Sequence, residues 1–326
     1  MTRPTIAAMA LCLALGGISS HAAGQPARVP RIGVLAGPSA AGNEAYVEAG
    51  RDALRQLGWV EGRNIQIDWR WGDSTPARVQ ALAEELVSQK PDVIVTIAEG
   101  PTGRVMRGTT AIPIVMVAVD DPVTLGFVAS LARPGANVTG IASFLPELAA
   151  KRVQLLRELA PRVSRVGFIW NGNPGGALGL RETQAAARRL GLTVQPFEVK
   201  RDEDIPRAFA AIASERMEAL IVLTDPRTWN GRAQVVELAN RQRLPAMYEL
   251  REFADAGGLV SYGASLVEMI RRAAVYIDKI LKGARPGDLP VEQPSTFELV
   301  VNVKTARQIG LSVPRSVLLR ADALIE

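Results

Sequence analysis

Short runs rich in Val and Ile alternate with amphipathic segments of helix length from Arg31 to Asn302, which restricts the chain to parallel sheets covered by crossover helices. The first half predicts strands over Arg31–Ala36, Asn64–Trp69, Asp92–Ile97 and Ile114–Val119. Between the second and third, Val79, Leu82, Ala83, Leu86 and Val87 share one helix face, with Thr75 placed to cap it and Pro76 to start it. The second half repeats the plan, with strands predicted over Val166–Trp170, Thr193–Phe197, Ala219–Leu223 and Ala246–Tyr248. Leu57-Gly58 and Leu190-Gly191 both put Gly where a helix ends in a left-handed turn, and Ile112-Pro113 and Leu244-Pro245 both precede a fourth strand. Each half is therefore a doubly wound α/β unit of ordinary domain size.

The turn-rich stretch Arg133-Pro134-Gly135-Ala136-Asn137-Val138-Thr139-Gly140 suits a crossing between the halves. A second crossing is expected at Ser261-Tyr262-Gly263 and a third after Arg285-Pro286-Gly287, before a strand-like run from Phe297 to Asn302. Between these lies one long helical stripe, Leu266, Met269, Ile270, Ala273, Ile277, Ile280 and Leu281, closed by Lys282-Gly283. The alternation alone leaves open which half these last elements join.

The N-terminus reads differently. Arg3, an apolar run from Ile6 to Ile18, and Ser20-His21-Ala22 form a cleavable secretory signal over residues 1–22. Its removal takes away Cys12 and His21, the only cysteine and histidine of the 326 residues. Without them the mature chain has no Ser-His-Asp triad, no Cys nucleophile, no disulfide framework and none of the usual ligands for zinc, copper or iron. Cys12 lies early in the apolar segment, where a lipidation motif would not place it, so an anchor there is the minor alternative. Arg3 leaves with the signal and lowers the net charge from +5 to +4. Basic residues are interleaved with acidic ones, as in Arg201-Asp202-Glu203-Asp204, which argues against a nucleic-acid partner. No later apolar stretch reaches the ~18 to 20 residues of a membrane-spanning helix.

In open α/β sheets ligands sit at the carboxyl ends of strands, where strand order reverses and helix N-termini point. Those positions here are Gly37-Pro38-Ser39, Ala98 to Thr102 and Asp120-Asp121-Pro122 in the first half. In the second half they are Asn171-Gly172-Asn173, Thr224-Asp225-Pro226 and Tyr248-Glu249-Leu250-Arg251. Hydroxyls, amides and carboxylates gather there, whereas the strands behind are almost wholly apolar.

Particular segments carry a family resemblance: Ile32-Gly33-Val34-Leu35, Gly58-Trp59-Val60-Glu61-Gly62-Arg63-Asn64-Ile65, Asp121-Pro122-Val123, Leu131 to Gly140, Arg251-Glu252-Phe253, Ser261-Tyr262-Gly263 and Asp278-Lys279-Ile280-Leu281-Lys282-Gly283. Taken in order over roughly residues 30 to 320, the chain resembles the tryptophan-transporter-like family of ABC transporter substrate-binding proteins. The resemblance implies a type I periplasmic binding fold, two Rossmann-like lobes joined by three hinge crossings. Lobe I would hold residues 30–139 plus about 264–289, and lobe II residues 140–263 plus about 290–326. It also implies a periplasmic monomer without cofactor, whose partners are a small polar or zwitterionic, amino-acid-like solute and an ABC permease in the inner membrane.

The expected ligand contacts are Ser39, Glu99, Thr102, Asp120, Asn171, Thr224, Asp225 and Tyr248. Glu99 departs from the small or hydroxyl residue commoner in the family, and an acid there favours an amine-bearing ligand. Asn171 follows the first strand of the second lobe as in relatives. Asp225 and Glu99 suit an ammonium group through charge-assisted hydrogen bonds, although Asp225 before Pro226 equally suits a helix cap. Ser39 and Thr102 suit a carboxylate, or simple capping. Tyr248, Trp170 and Trp229 suit an apolar ligand body or the core, and Arg251 a carboxylate clamp or an ion pair with Glu252 or a neighbour. Asp121 reads as structural. Competing readings are a sensory receptor of the same fold, a carboxylate-dependent enzyme using Glu99 and Asp225, and a regulator's effector domain, which would need a helix-turn-helix before the first strand.

Overall fold

The computed structural model describes residues 28–143 and 146–326, so the signal read over residues 1–22 lies outside the described residues. Five strands, β1 (Arg31–Ala36), β2 (Gln66–Trp71), β3 (Val93–Ile97), β4 (Ile114–Val119) and β5 (Val138–Ala142), form a parallel sheet in the order β2-β1-β3-β4-β5. Helices α1 (Glu44–Gln56), α2 (Pro76–Ser88) and α3 (Glu99–Gly108) connect them. Successive strand residues face opposite sides, so Val93, Val95, Val115 and Val117 join one apolar cluster while Ile94, Ile114 and Met116 join another. Both faces are covered, which is why these strands are apolar throughout rather than alternating.

The strand expected at Asn64–Trp69 begins two residues later. Asn64 explains the shift: its side chain accepts from Val60 N at 2.6 Å and donates to Gly58 O at 2.8 Å, tying that stretch into a turn. In α2, Val79, Ala83 and Leu86 are buried and Pro76 opens the helix. Thr75 occupies the cap position without capping; its hydroxyl donates instead to Asp73 O at 3.2 Å.

The second sheet contains β6 (Arg165–Trp170), β7 (Thr193–Glu198), β8 (Ala219–Val222), β9 (Ala246–Tyr248), β10 (Val260–Gly263), β11 (Glu298–Asn302) and β12 (Ala323–Ile325). Its order is β12-β11-β10-β9-β8-β6-β7, and only the β10/β11 pairing is antiparallel. The run β7-β6-β8-β9-β10 repeats the order of the first sheet strand for strand. Helices α4 (Pro146–Leu159), α5 (Pro174–Arg189), α6 (Asp204–Ser214), α7 (Pro226–Asn230), α8 (Arg232–Arg241) and α9 (Arg251–Asp255) accompany this half. Helix α10 (Leu266–Leu281) follows, and α11 (Val303–Ile309) and α12 (Arg315–Leu318) close the chain around β12.

Three crossings join these two lobes. The first leaves β5, which the sequence alone presents as a turn but which is a fully buried strand. The second leaves β10 for α10, whose apolar stripe packs on α1, β4 and β5 of the first sheet. The third returns beside β5, where Thr139 Oγ1 donates to Leu289 O at 2.7 Å and Glu292 N to Gly140 O at 3.0 Å, before entering β11. Gly140 has φ 136°, and a Cβ there would lie 2.0 Å from Met116 O. No other residue fits where β5 lies this close to β4.

Candidate functional site

Strand order reverses between β1 and β3 in one lobe and between β6 and β8 in the other, and the carboxyl ends of both sheets meet at one cavity of about 150 Å³. A water needs about 10–15 Å³ of such space and occupies about 30 Å³ of liquid, so the cavity accommodates on the order of ten waters or one amino-acid-sized molecule. The first lobe contributes Pro38 after β1, Glu99 after β3, Asp120 after β4 and Ser143 after β5, together with Asn43, Tyr46 and Trp71. The second contributes Asn173 after β6, Thr224 and Asp225 after β8, Glu249 after β9, Trp229, and Arg152 from α4. Ala98 and Ala118 line the first-lobe wall with φ values of 76° and 54°, a left-handed backbone that non-glycine residues adopt only where the surroundings hold them in it.

Asp225 divides its two oxygens. Oδ1 caps α7, accepting from Arg227 N at 2.7 Å and Thr228 N at 3.0 Å, while Asp225 N donates back to Thr228 Oγ1 at 3.0 Å. Oδ2 is buried at the same site and has no hydrogen-bond partner. Burial pushes the Asp225 carboxyl up to about 7, against the pull of the two amides and Arg227, with the Glu249 charge adding to the rise. Asp120 is pushed up to about 6 by desolvation first and by Glu249 second, although Ser143 Oγ donates to it at 2.7 Å and Arg152 lies near. Thr224 Oγ1 is also buried without a partner.

Arg152 is 8% exposed and is the only basic side chain lining the cavity among the described residues. Its Nη1 donates to Glu249 Oε1 at 2.6 Å and its Nε to Tyr262 O at 2.8 Å. Glu249 Oε2 in turn accepts from Thr224 N at 2.7 Å, so this buried ion pair is hydrogen-bonded on both sides. A Cβ on Gly263 would lie 2.0 Å from Glu249 O, so glycine at the second crossing is what lets the Glu249 loop sit here.

The lobes touch directly around the cavity. Ser74 Oγ donates to Pro226 O at 2.6 Å, Arg227 Nη2 to Ser74 O at 2.7 Å and Asn230 Nδ2 to Ser74 Oγ at 2.8 Å. Trp229 Nε1 donates to Asn43 Oδ1 at 3.2 Å, Asn173 Nδ2 to Glu99 Oε2 at 3.3 Å, and Tyr46 Oη to Glu252. The structure is thus a closed arrangement of the two lobes.

Of the eight expected contacts, Glu99, Asp120, Thr224 and Asp225 line the cavity, and Ser39, Thr102, Asn171 and Tyr248 do not. Thr102 is fully buried, its hydroxyl shared between Thr96 Oγ1 at 2.7 Å and Ala98 O at 2.8 Å. Ser39 N donates to Asn230 Oδ1 at 3.2 Å, linking the lobes instead of facing the cavity. Asn171 Oδ1 accepts from Asn173 N at 3.0 Å, setting up the Asn173 cap of α5. Tyr248 is core: it is fully buried and stacks on Phe253 with centroids 5.0 Å apart. Arg251 pairs with Asp255 at 3.2 Å and Glu298 at 2.7 Å, and not with Glu252. Asp121 Oδ1 accepts from Val123 N and Thr124 N at 3.2 and 3.0 Å, a structural turn. Tyr46, Trp71 and Arg152 were not among the expected residues. Arg152 carried a signal: it follows Leu148 by four residues and Ala149 by three, so it is a charge on the apolar face of α4.

Two facing doubly wound sheets with a cavity at their shared carboxyl edge, apolar over most of its wall and carrying a few acids, define the bilobed substrate-binding class of α/β proteins. The chain belongs to the ABC transporter substrate binding protein family, whose model matches residues 31–325. It is 26% identical over 260 residues to a tyrosine-binding protein of Clostridioides difficile, covering 79% of this chain and 74% of that one. Two crystal structures resemble it at TM-score 0.86 and 28% identity, each covering 91% of this chain and 100% of the other. One is an ABC domain of Streptococcus pneumoniae in complex with L-Trp, the other a conserved domain protein of Vibrio cholerae.

Proposed function

We propose that the protein is the solute receptor of an ABC importer, working outside the cytoplasmic membrane as a monomer, and that it closes its lobes over an amino-acid-like solute and delivers it to the permease. The observation that supports this most is the pair of buried oxygens without partners, Asp225 Oδ2 and Thr224 Oγ1, beside a cavity of amino-acid size. Buried polar groups are normally hydrogen-bonded, and a bound solute would supply the missing donors. Glu99, Asp120, Thr224 and Asp225 are the proposed polar contacts, with Tyr46, Trp71 and Trp229 enclosing the apolar part. The relatives that bind tyrosine and L-Trp by description agree with a solute of this size.

Closure needs no chemistry. The bonds from Ser74, Asn43 and Tyr46 to the second lobe exist only when the lobes meet, and a solute touching both walls favours that state by its difference in affinity for the two forms. The decisive experiment is mass spectrometry of small molecules released on denaturing the purified protein, followed by thermal shift with amino acids. A solute that binds only the folded state raises the melting temperature with the logarithm of its concentration over Kd. Absence of any released solute, together with no shift from any amino acid or amine, would refute the receptor reading.

A further inference from the structure

The repeated topology places acids at matching strand ends. Asp120 and Glu249 each follow a fourth strand, β4 and β9, and Glu99 and Asp225 follow the third strands, β3 and β8. All four carboxylates line the one cavity, two from each lobe, and Arg152 is its only described cation. Arg152 is already committed to Glu249. The described walls therefore carry an acidic excess on both sides of the closing gap, and Asp225 Oδ2 is buried there without a partner. Among the described residues no three His, Cys, Asp or Glu side chains are grouped to hold a metal ion, so these acids do not converge as metal ligands do.

We propose that the solute is an organic cation with two protonated nitrogens, a diamine or a basic amino acid, whose charge offsets the like charge of the two acidic walls brought together around the cavity. This rests on the receptor reading above and narrows its solute class. A neutral zwitterion brings one carboxylate for its one ammonium and leaves the acidic excess of the described walls uncompensated, whereas a basic amino acid keeps one net positive charge and a diamine two. Protonation of Asp225 and Asp120 relieves the like-charge contact, and a bound organic cation takes the place of those protons. The charged groups around Asp225 are Arg227 and Glu249; those around Asp120 are Glu249, Arg152 and Asp121. Arg227 pulls the Asp225 carboxyl down and Arg152 that of Asp120, and burial outweighs both.

The test is calorimetric titration of the purified protein with L-lysine, L-ornithine and 1,5-diaminopentane, set against L-tryptophan, L-tyrosine and L-leucine. The diamine and the basic amino acids should bind at least about tenfold more tightly than neutral amino acids, and more tightly at about pH 8 than at about pH 5.5 as protons are displaced. A preference for 1,5-diaminopentane over lysine identifies a diamine, and the reverse a basic amino acid. Asp225→Asn and Asp120→Asn should each weaken binding of the tightest of these cations about tenfold or more while the circular dichroism of each variant stays native. Tighter binding of a neutral amino acid than of the diamine and both basic amino acids would overturn the charge inference and leave the receptor reading intact. Binding of neither set overturns both.

Discussion

Asp225→Asn separates the charge of this side chain from its shape. Asn keeps the Oδ1 acceptor that caps α7 through Arg227 N and Thr228 N, so the helix start survives, while the ionisable proton is lost. The wild-type carboxyl is raised from 3.8 to about 7 in the folded protein. Between those values the folded state binds a proton that the unfolded state has released, so stability falls as pH rises through this window and levels off above about 7. Each pH unit costs about 1.4 kcal/mol, so between about pH 5 and pH 7 the wild type loses about 2–3 kcal/mol through this one group. The unpartnered buried atom costs something in both proteins, but that cost does not change with pH. Urea unfolding of the unliganded wild type and variant at about pH 5 and pH 8 should therefore show the variant gaining on the wild type by about 2–3 kcal/mol as pH rises. Equal pH dependence of the two proteins would refute the claim that Asp225 is desolvated at the cavity wall.

Other predictions concern packing and closure. Arg152→Leu leaves Glu249 buried without its partner and should cost about 3–5 kcal/mol by urea unfolding, and Glu249→Gln on that background should recover part of the loss. Gly140→Ala drives a Cβ to 2.0 Å from Met116 O and should prevent folding or lower the melting temperature far more than Gly62→Ala, which also has positive φ but meets nothing within 4 Å and should cost about 1–2 kcal/mol. Arg227→Met removes the donor to Ser74 O and the pairing with Asp202 at 2.8 Å. By weakening the closed form about 1.5–3 kcal/mol it should lower solute affinity roughly ten- to a hundredfold and widen the unliganded protein in small-angle scattering. Unchanged affinity and radius would show that the Ser74 contacts do not support closure.

The sequence by itself determined the doubly wound halves, because a parallel strand covered on both faces must be apolar throughout and a covering helix must carry a stripe, and both patterns are local. Arg31–Ala36, Ile114–Val119 and the stripe from Leu266 to Leu281 stand where those patterns put them. The same rule located the cavity loops, since the carboxyl ends of strands follow from strand positions, and so Glu99, Asp120, Thr224 and Asp225 were within reach. What only the tertiary structure decided depends on contacts between residues far apart in the chain. Val138–Ala142 looks like a turn until β4 lies beside it, and α10 follows the second sheet yet packs on the first because its stripe matches α1. Tyr248 ends β9 and Thr102 lies in the first turn of α3, next to the cavity loops, but both point into the core, whereas Arg152, on a helix no loop argument would visit, reaches the cavity through a partner 97 residues away. Local pattern fixes which way the backbone runs. Which side chains face a shared cavity is fixed only when two lobes, distant in sequence, close against each other and choose partners from both.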